Sequence, residues 1–247
     1  MTHPYPILAL RDISKSFFLH LRGGMRLDIL RNVTFDVHTG ECVVLGGQSG
    51  AGKSSLLKMV FGNYAADSGE IIVADGKATT NIVRASPRRI LELRRTKLAY
   101  VSQFLRVIPR VSAIDIVTDS ARDDRSSPED ARQKARAMLD FLNIPERLWS
   151  LPPATFSGGE QQRINIARGF VADRSILLLD EPTASLDAAN AELALELIRQ
   201  KKREGVSILA IFHDEKMRDA VADRIIEVAP FNASQNNKDP FSGADAA

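Results

Sequence analysis

The sequence predicts an α/β fold wound on a parallel sheet and preceded by antiparallel strands, and three observations carry that reading. A short, wholly apolar run, Cys42-Val43-Val44-Leu45, leads into a glycine-rich turn and then an amphipathic helix. Two more strand signals, Ser175-Ile176-Leu177-Leu178-Leu179 and Val206-Ser207-Ile208-Leu209-Ala210-Ile211, flank a helical stretch from Ala188 to Glu204. Apolar runs of this length belong to strands covered on both faces, and strand–helix–strand alternation implies parallel neighbours. Thirdly, Ile7 to Asp36 breaks into short alternating runs, such as Val33-Thr34-Phe35-Asp36-Val37, around a Leu21-Arg22-Gly23-Gly24 turn, which reads as antiparallel sheet.

Taken in order, the helix after the glycine turn spans Lys53 to Phe61, with Leu56, Leu57, Val60 and Phe61 on one side and Gly62 as its stop. Ser86 to Arg95 has helical spacing and carries a basic group, Arg84, Arg88, Arg89, Arg94, Arg95 and Lys97, expected to form a solvated helix face. Leu98-Ala99-Tyr100-Val101 returns to strand. From Phe104 to Val171 the signal is almost wholly helical, giving a helical subdomain inserted into the α/β core. Its helices are Ala113 to Ser120, then Ala131 to Leu142 behind a Ser127-Pro128-Glu129-Asp130 cap, then one beginning near Gly158. Residues 1–230 therefore read as one domain, and 231–247, rich in Asn, Ser, Ala and Asp without periodicity, as a disordered tail.

Composition excludes several function classes. The 247 residues carry 33 Lys and Arg against 31 Asp and Glu, a net charge of +2, which argues against a dedicated nucleic-acid binder. One cysteine, Cys42, allows no internal disulfide and points to a reducing compartment; it reads as a small buried hydrophobe. No run approaches the ~18 to 20 apolar residues that a membrane-crossing helix needs. A cytoplasmic protein is the expectation.

Gly47-Gln48-Ser49-Gly50-Ala51-Gly52-Lys53-Ser54 fits the phosphate-binding pattern G-x-x-x-x-G-K-[ST] and sits between a strand and a helix, as that pattern requires. Glycines let the backbone curl so that successive N–H groups point inward, and the helix start adds its positive dipole end. Lys53 then reaches the β- and γ-phosphates of a bound polyphosphate, the Ser54 hydroxyl ligates Mg²⁺, and Ser55 follows on the first helical turn. Asp180 and Glu181 end an apolar strand, where ligands bind in open α/β sheets. Asp180 is expected to hold Mg²⁺ and Glu181 to orient or deprotonate an attacking water. A second glycine pair, at Ser157-Gly158-Gly159-Glu160, starts another helix and offers a second anion cradle, although only one nucleotide loop is present. That mismatch suggests a site shared between two copies.

With these residues in view the sequence resembles the ATP-binding-cassette (ABC) ATPases. Phe156-Ser157-Gly158-Gly159-Glu160-Gln161-Gln162-Arg163 resembles their signature motif, with Phe156 where leucine is usual. The resemblance spans roughly Ile7 to Val228 and implies a nucleotide-binding domain with an antiparallel β subdomain, a helical subdomain and Mg·ATP as cofactor. It places Gln103 in the glutamine loop, touching Mg²⁺ and the attacking water, and His213 as the switch histidine on the γ-phosphate. Phe17, with Phe18 beside it, takes the place of the aromatic that stacks on adenine. Asp180-Glu181-Pro182-Thr183-Ala184-Ser185-Leu186-Asp187 resembles the acidic strand end and the loop that crosses the dimer interface. Two cassettes, either two copies of this chain or this chain with a sister ABC protein, would then close head to tail, with Ser157, Gly158, Gly159 and Glu160 of one completing the site of the other.

Three segments, Val101 to Arg110, Asn143 to Trp149 and Phe156 to Phe170, resemble the ABC subunits encoded with carbon-phosphorus lyase in bacterial phosphonate operons. That resemblance implies an accessory ATPase of phosphonate breakdown, linked with formation of ribose 1-methylphosphonate 5-triphosphate, with the soluble lyase core complex as partner. The alternative is an ATPase subunit of a lipoprotein-releasing or macrolide-exporting transporter, with a membrane permease as partner. Repair and ribosome-associated members carry coiled-coil insertions or two cassettes, which this chain lacks, so no nucleic-acid partner is expected.

Overall fold

The computed structural model describes residues 6–19, 25–76, 78–105, 109–122 and 127–228. The expected 21–24 turn and 231–247 tail lie outside them. Among the described residues nine strands form two sheets. The first is antiparallel in the order β2-β1-β4-β5, from β1 (Leu8–Leu19), β2 (Met25–Val37), β4 (Ser68–Asp75) and β5 (Ala78–Asn81). The second is parallel in the order β6-β7-β8-β3-β9, from β3 (Cys42–Gly46), β6 (Leu98–Val101), β7 (Ile176–Asp180), β8 (Ser207–Ile211) and β9 (Arg224–Glu227).

The parallel sheet is the α/β core that the apolar runs predict, and its side chains sort by the two-residue strand period. Val43, Leu45, Ile176, Leu178, Leu209 and Ile211 enter one apolar core with the antiparallel sheet and α1 (Lys53–Val60). Their neighbours Cys42, Val44, Leu177, Leu179, Ile208 and Ala210 enter a second core. That second core is shared with α3 (Ala113–Ala121), α4 (Pro128–Phe141), α6 (Gly158–Phe170) and α7 (Ala188–Arg203). Burial on both faces is why these strands show no polar side. Cys42 lies within the second core, where burial pushes its thiol up to about 12.

The insertion between β6 and β7 is helical as expected, and its starts follow the cap signals. Ser112 caps α3, and Ser127 caps α4 in a reciprocal box with Asp130, with Pro128 in the first turn. A short helix that the sequence reading does not anticipate, α5 (Glu146–Trp149), joins α4 to the 3₁₀ turn Pro153–Thr155. Strands β4 and β5 are likewise additions.

The basic helix departs from expectation. In α2 (Pro87–Thr96), Arg89 bonds Asp75 at 2.6 Å and Thr80 at 2.9 Å, and Lys97 meets the same Asp75 at 3.1 Å. Arg94 lies 4.5 Å over the Phe61 ring and donates to the Phe61 carbonyl and the Asn63 side chain, each at 2.8 Å. Arg89, Arg94 and Lys97 are therefore tied down rather than solvated, while Arg84, Arg88 and Arg95 are exposed as expected. The three tied cations fasten α2 across the antiparallel sheet and the end of α1. The remaining helix, α8 (Glu215–Asp219), is capped by Asp214. Among the described residues no helix is long and apolar enough to cross a membrane.

Candidate active site

The loop between β3 and α1 turns back on itself at glycines. Gly47 has φ 111, and a Cβ there would strike the Val228 carbonyl oxygen; Gly52 has φ 90, and a Cβ there would lie 2.5 Å from Ile29 Cγ2. Only glycine adopts this path without strain. Lys53 Nζ closes the loop from inside, donating to the carbonyls of Gly47 at 2.6 Å and Gln48 at 2.8 Å. Gly52 is the N-cap of α1 and no side chain caps that helix, so its first-turn N–H groups face the loop together with the positive dipole end. Donors and an ammonium converging in this way suit a phosphate chain.

Asp180 ends β7 with 3% of its surface exposed. A carboxylate so buried needs partners, and it has two: Ser54 Oγ donates to Oδ1 at 2.7 Å and Tyr100 Oη to Oδ2 at 2.8 Å. Among the described residues no group of three or more His, Cys, Asp or Glu side chains could hold a metal. The hydroxyl and carboxylate oxygens of Ser54 and Asp180 nevertheless fit Mg²⁺, which takes one or two protein oxygens and completes its shell with water and phosphate.

Glu181 follows in the left-handed region at φ 52, uncommon for a non-glycine residue, and its N–H is fixed to the Ile211 carbonyl at 3.0 Å. This turn brings its carboxylate to Gln103, whose Nε2 donates to Oε2 at 3.0 Å. A cleft of about 500 Å³ is lined by Gly47, Ser49, Gly50, Gly52, Lys53, Ser54 and Ser55 on one side and by Gln103, Glu181 and His213 on the other. The expected phosphate loop, base, glutamine and switch histidine thus meet in one place, with Gln48 and Ala51 in the loop itself and Asp180 bonded to Ser54. A groove of about 720 Å³ lies beside the cleft, bordered by Phe61, Arg94, Tyr100, Phe104 and Arg168, and shares Ser54 and Gln103 with it.

Other expected residues stand apart from the cleft lining. Phe17 meets Tyr64 edge-on at 5.6 Å between ring centres, beneath the Lys15 ammonium, while Phe18 is exposed. Asp67 anchors that corner. Burial raises its pKa, but hydrogen bonds from Lys15 and Ser16 outweigh that and hold it at about 2. Ser157, Gly158, Gly159 and Glu160 also lie outside the lining. Ser157 Oγ accepts from Glu160 N at 3.3 Å, and Glu160 Oε2 accepts from Ser157 N at 2.9 Å, a complete capping box. Hydrogen bonds from the Ser157 hydroxyl and N–H hold the Glu160 carboxyl below its usual range.

Two residues that the sequence reading passed over bond to these groups or their neighbours. Tyr100 shares the Asp180 carboxylate, and its place near the end of an apolar strand is a signal a reader could use. Asn165, fully buried in α6, donates to the Ser102 carbonyl beside Gln103; nothing in the linear pattern marks it.

Comparison with known proteins agrees with this geometry. Residues 30–184 match the ABC transporter family. The chain is 37% identical to the lipoprotein-releasing system ATP-binding protein LolD of Porphyromonas gingivalis, over 90% of this chain and 96% of that protein. It is 32% identical to the macrolide export ATP-binding/permease protein MacB of Brucella abortus, over 90% of this chain but only 33% of that longer protein. The fold superposes on the dimeric bacterial ABC transporter cassette MJ0796 with a TM-score of 0.81 and 25% identity, covering 91% of this chain and 97% of the other. A further structure of that cassette, in a post-hydrolysis state with ADP and phosphate, matches equally well. Family match, fold and converging site together place this chain in the ABC transporter family, as a cassette that binds ATP with Mg²⁺ and hydrolyses it.

Proposed function

We propose that the chain is the ATPase subunit of a membrane transporter of the lipoprotein-release or macrolide-export type, and that it works as a head-to-tail pair of cassettes. One observation carries this reading. Phosphate loop, Asp180, Glu181, Gln103 and His213 converge on one cleft, while the second anion cradle at Ser157–Glu160 stands outside it, capped by its own side chains. A cradle that cannot reach its own cleft serves a neighbour's. The dimeric form of MJ0796 and the transporter names of the curated relatives support the same reading.

In that pair the curled backbone and Lys53 hold the β- and γ-phosphates. Ser54 and Asp180 hold Mg²⁺, which supplies charge neutralisation on the phosphate oxygens. Glu181, oriented by Gln103, accepts a proton from water as the water oxygen bonds to the γ-phosphorus and the bond to the ADP oxygen breaks. His213 steadies the γ-phosphate, Phe17 supports the adenine, and Ser157 with the N–H groups of Gly158 and Gly159 arrives from the partner cassette, with Glu160 capping their helix. The groove beside Phe104 and Arg168 suits a permease segment, since it opens between α1, α2 and α6 and shares Gln103 with the cleft.

Glu181→Gln tests the chemistry. It should bind ATP and hydrolyse it at least ~10²-fold more slowly, the scale of a lost general base; near-normal turnover would sink the assignment. Co-purification tests the partner. A transporter subunit brings down a membrane permease. The second reading, an accessory of carbon-phosphorus lyase, rests on the Val101-to-Arg110, Asn143-to-Trp149 and Phe156-to-Phe170 segments and has no counterpart among the relatives named above. Recovery of soluble lyase enzymes and no permease from phosphate-starved cells would favour it instead.

A further inference from the structure

Helix α6 carries a stripe of polar side chains on its inward face. Gln162, Asn165 and Arg168 recur every three residues and so share one side of the helix. Gln162 and Asn165 are 2% and 0% exposed, which for amides demands a hydrogen-bonding reason. Gln162 Nε2 donates to the Pro182 carbonyl at 2.9 Å. Asn165 Nδ2 donates to the Ser102 carbonyl at 2.5 Å, and its Oδ1 accepts from Arg168 at 2.9 Å. The amide orientation is thereby fixed, because a flipped Asn165 would set oxygen against carbonyl and nitrogen against guanidinium.

Both carbonyls sit just past the ends of strands. β6 stops at Val101 and β7 at Asp180, so neither Ser102 nor Pro182 lies in a ladder. Ser102 immediately precedes Gln103 and Pro182 immediately follows Glu181. One rigid helix therefore holds the chain beside each partner of the Gln103–Glu181 hydrogen bond. Mere filling of the core would be met by an apolar side chain at lower cost, since a buried amide must be desolvated before it bonds.

We propose that Asn165 is a positioning residue of ATP hydrolysis: by anchoring the Ser102 carbonyl to α6 it sets the point from which Gln103 reaches Glu181. The inference rests on the reading of Glu181 and Gln103 given above. Asn165→Asp is the sharpest probe. It keeps shape and the acceptor for Arg168 but turns an acceptor toward the Ser102 carbonyl. Asn165→Ala removes these bonds and its longer contacts to Ser102 Oγ and Gln162 Oε1. In the full-length chain, phosphate release and binding of a fluorescent ATP analogue with Mg²⁺ are measured beside Glu181→Gln and Gln103→Ala.

Both Asn165 variants should lower kcat by about 10-fold, the scale of a misplaced catalytic group, with nucleotide affinity within about twofold of the parent. In the Gln103→Ala background the Asn165 effect should vanish, because the two residues act as one unit. A folded Asn165→Asp with parental kcat overturns the proposal. So does an effect that multiplies undiminished with Gln103→Ala, or failure of both variants to fold, since each assigns Asn165 to the fold alone. If instead Glu181→Gln and Gln103→Ala themselves leave turnover intact, the underlying site reading falls.

Discussion

Two helices of this chain begin on glycine-rich turns suited to an anion, and they are finished in different ways. α1 starts at Gly52 with no side chain capping it and no acid in its first turn. Its open N–H groups and dipole end are left for a phosphate to satisfy. α6 starts at Ser157, which caps it reciprocally with Glu160. That start is complete in the isolated chain and can stand on the surface without a ligand. The difference sets the order expected under the proposed pairing: the uncapped start has donors left for the nucleotide to satisfy, while the capped start only has to be presented to it.

The largest effect should come from the open start. Mg·ATP at a hundred times its Kd stabilises a single-site protein by about 2.7 kcal/mol, which for a chain of this size raises the melting temperature by about 5 to 10 °C. Lys53→Ala should abolish that rise at the same ATP concentration and lower turnover at least ~10²-fold, the scale of a lost phosphate-stabilising charge. A variant that still gains its full thermal shift would mean that the loop is not the primary nucleotide site.

Ser157→Arg probes the other start. It should leave the thermal shift intact, because Ser157 lies outside the cleft, yet lower ATP turnover more than about 10-fold by blocking anion approach from a second cassette. Unchanged turnover contradicts the shared site. Ser157→Ala is milder: loss of the cap costs about 1 kcal/mol, or about 3 °C, again with the ATP-induced shift preserved.

Much of this contrast was legible in the sequence, because both starts are written in local pattern. The phosphate loop, the apolar strand ending at Asp180 and the serine-led cap at Ser127 each need only neighbouring residues to be read. What escaped depends on partners far along the chain. β4 pairs with β1 through contacts such as Leu8 with Val73, and with β5 through contacts such as Val73 with Thr80, and those distant pairings are what make 68–75 and 78–81 sheet. Arg89 looks solvated until Asp75 and Thr80 are seen beneath it. Tyr100 and Asn165 look like strand and helix filler, and they acquire roles only through Asp180 and the Ser102 carbonyl, which the fold brings from other elements.

The finest test concerns the charge that completes the α6 start. Hydrogen bonds from the Ser157 hydroxyl and N–H hold the Glu160 carboxyl below its ordinary 4.5. A carboxylate whose pKa is depressed by folding stabilises the folded chain above the unfolded value and loses that contribution as pH falls through the folded one. Glutamine can make the same box without the charge, so Glu160→Gln removes the charge that strengthens the Ser157 hydrogen bonds and its attraction to Arg163, Arg147 and the helix dipole, roughly 0.3 to 1 kcal/mol. Parent and variant should melt about 1 to 3 °C apart at pH 7, and the gap should narrow as pH falls below ~4.5 and close once pH lies below the depressed folded value, as the parent carboxylate protonates. A gap that persists unchanged there would show that the charge is not what completes α6, and the physical contrast with the open start of α1 would then rest on the Ser157 hydroxyl alone.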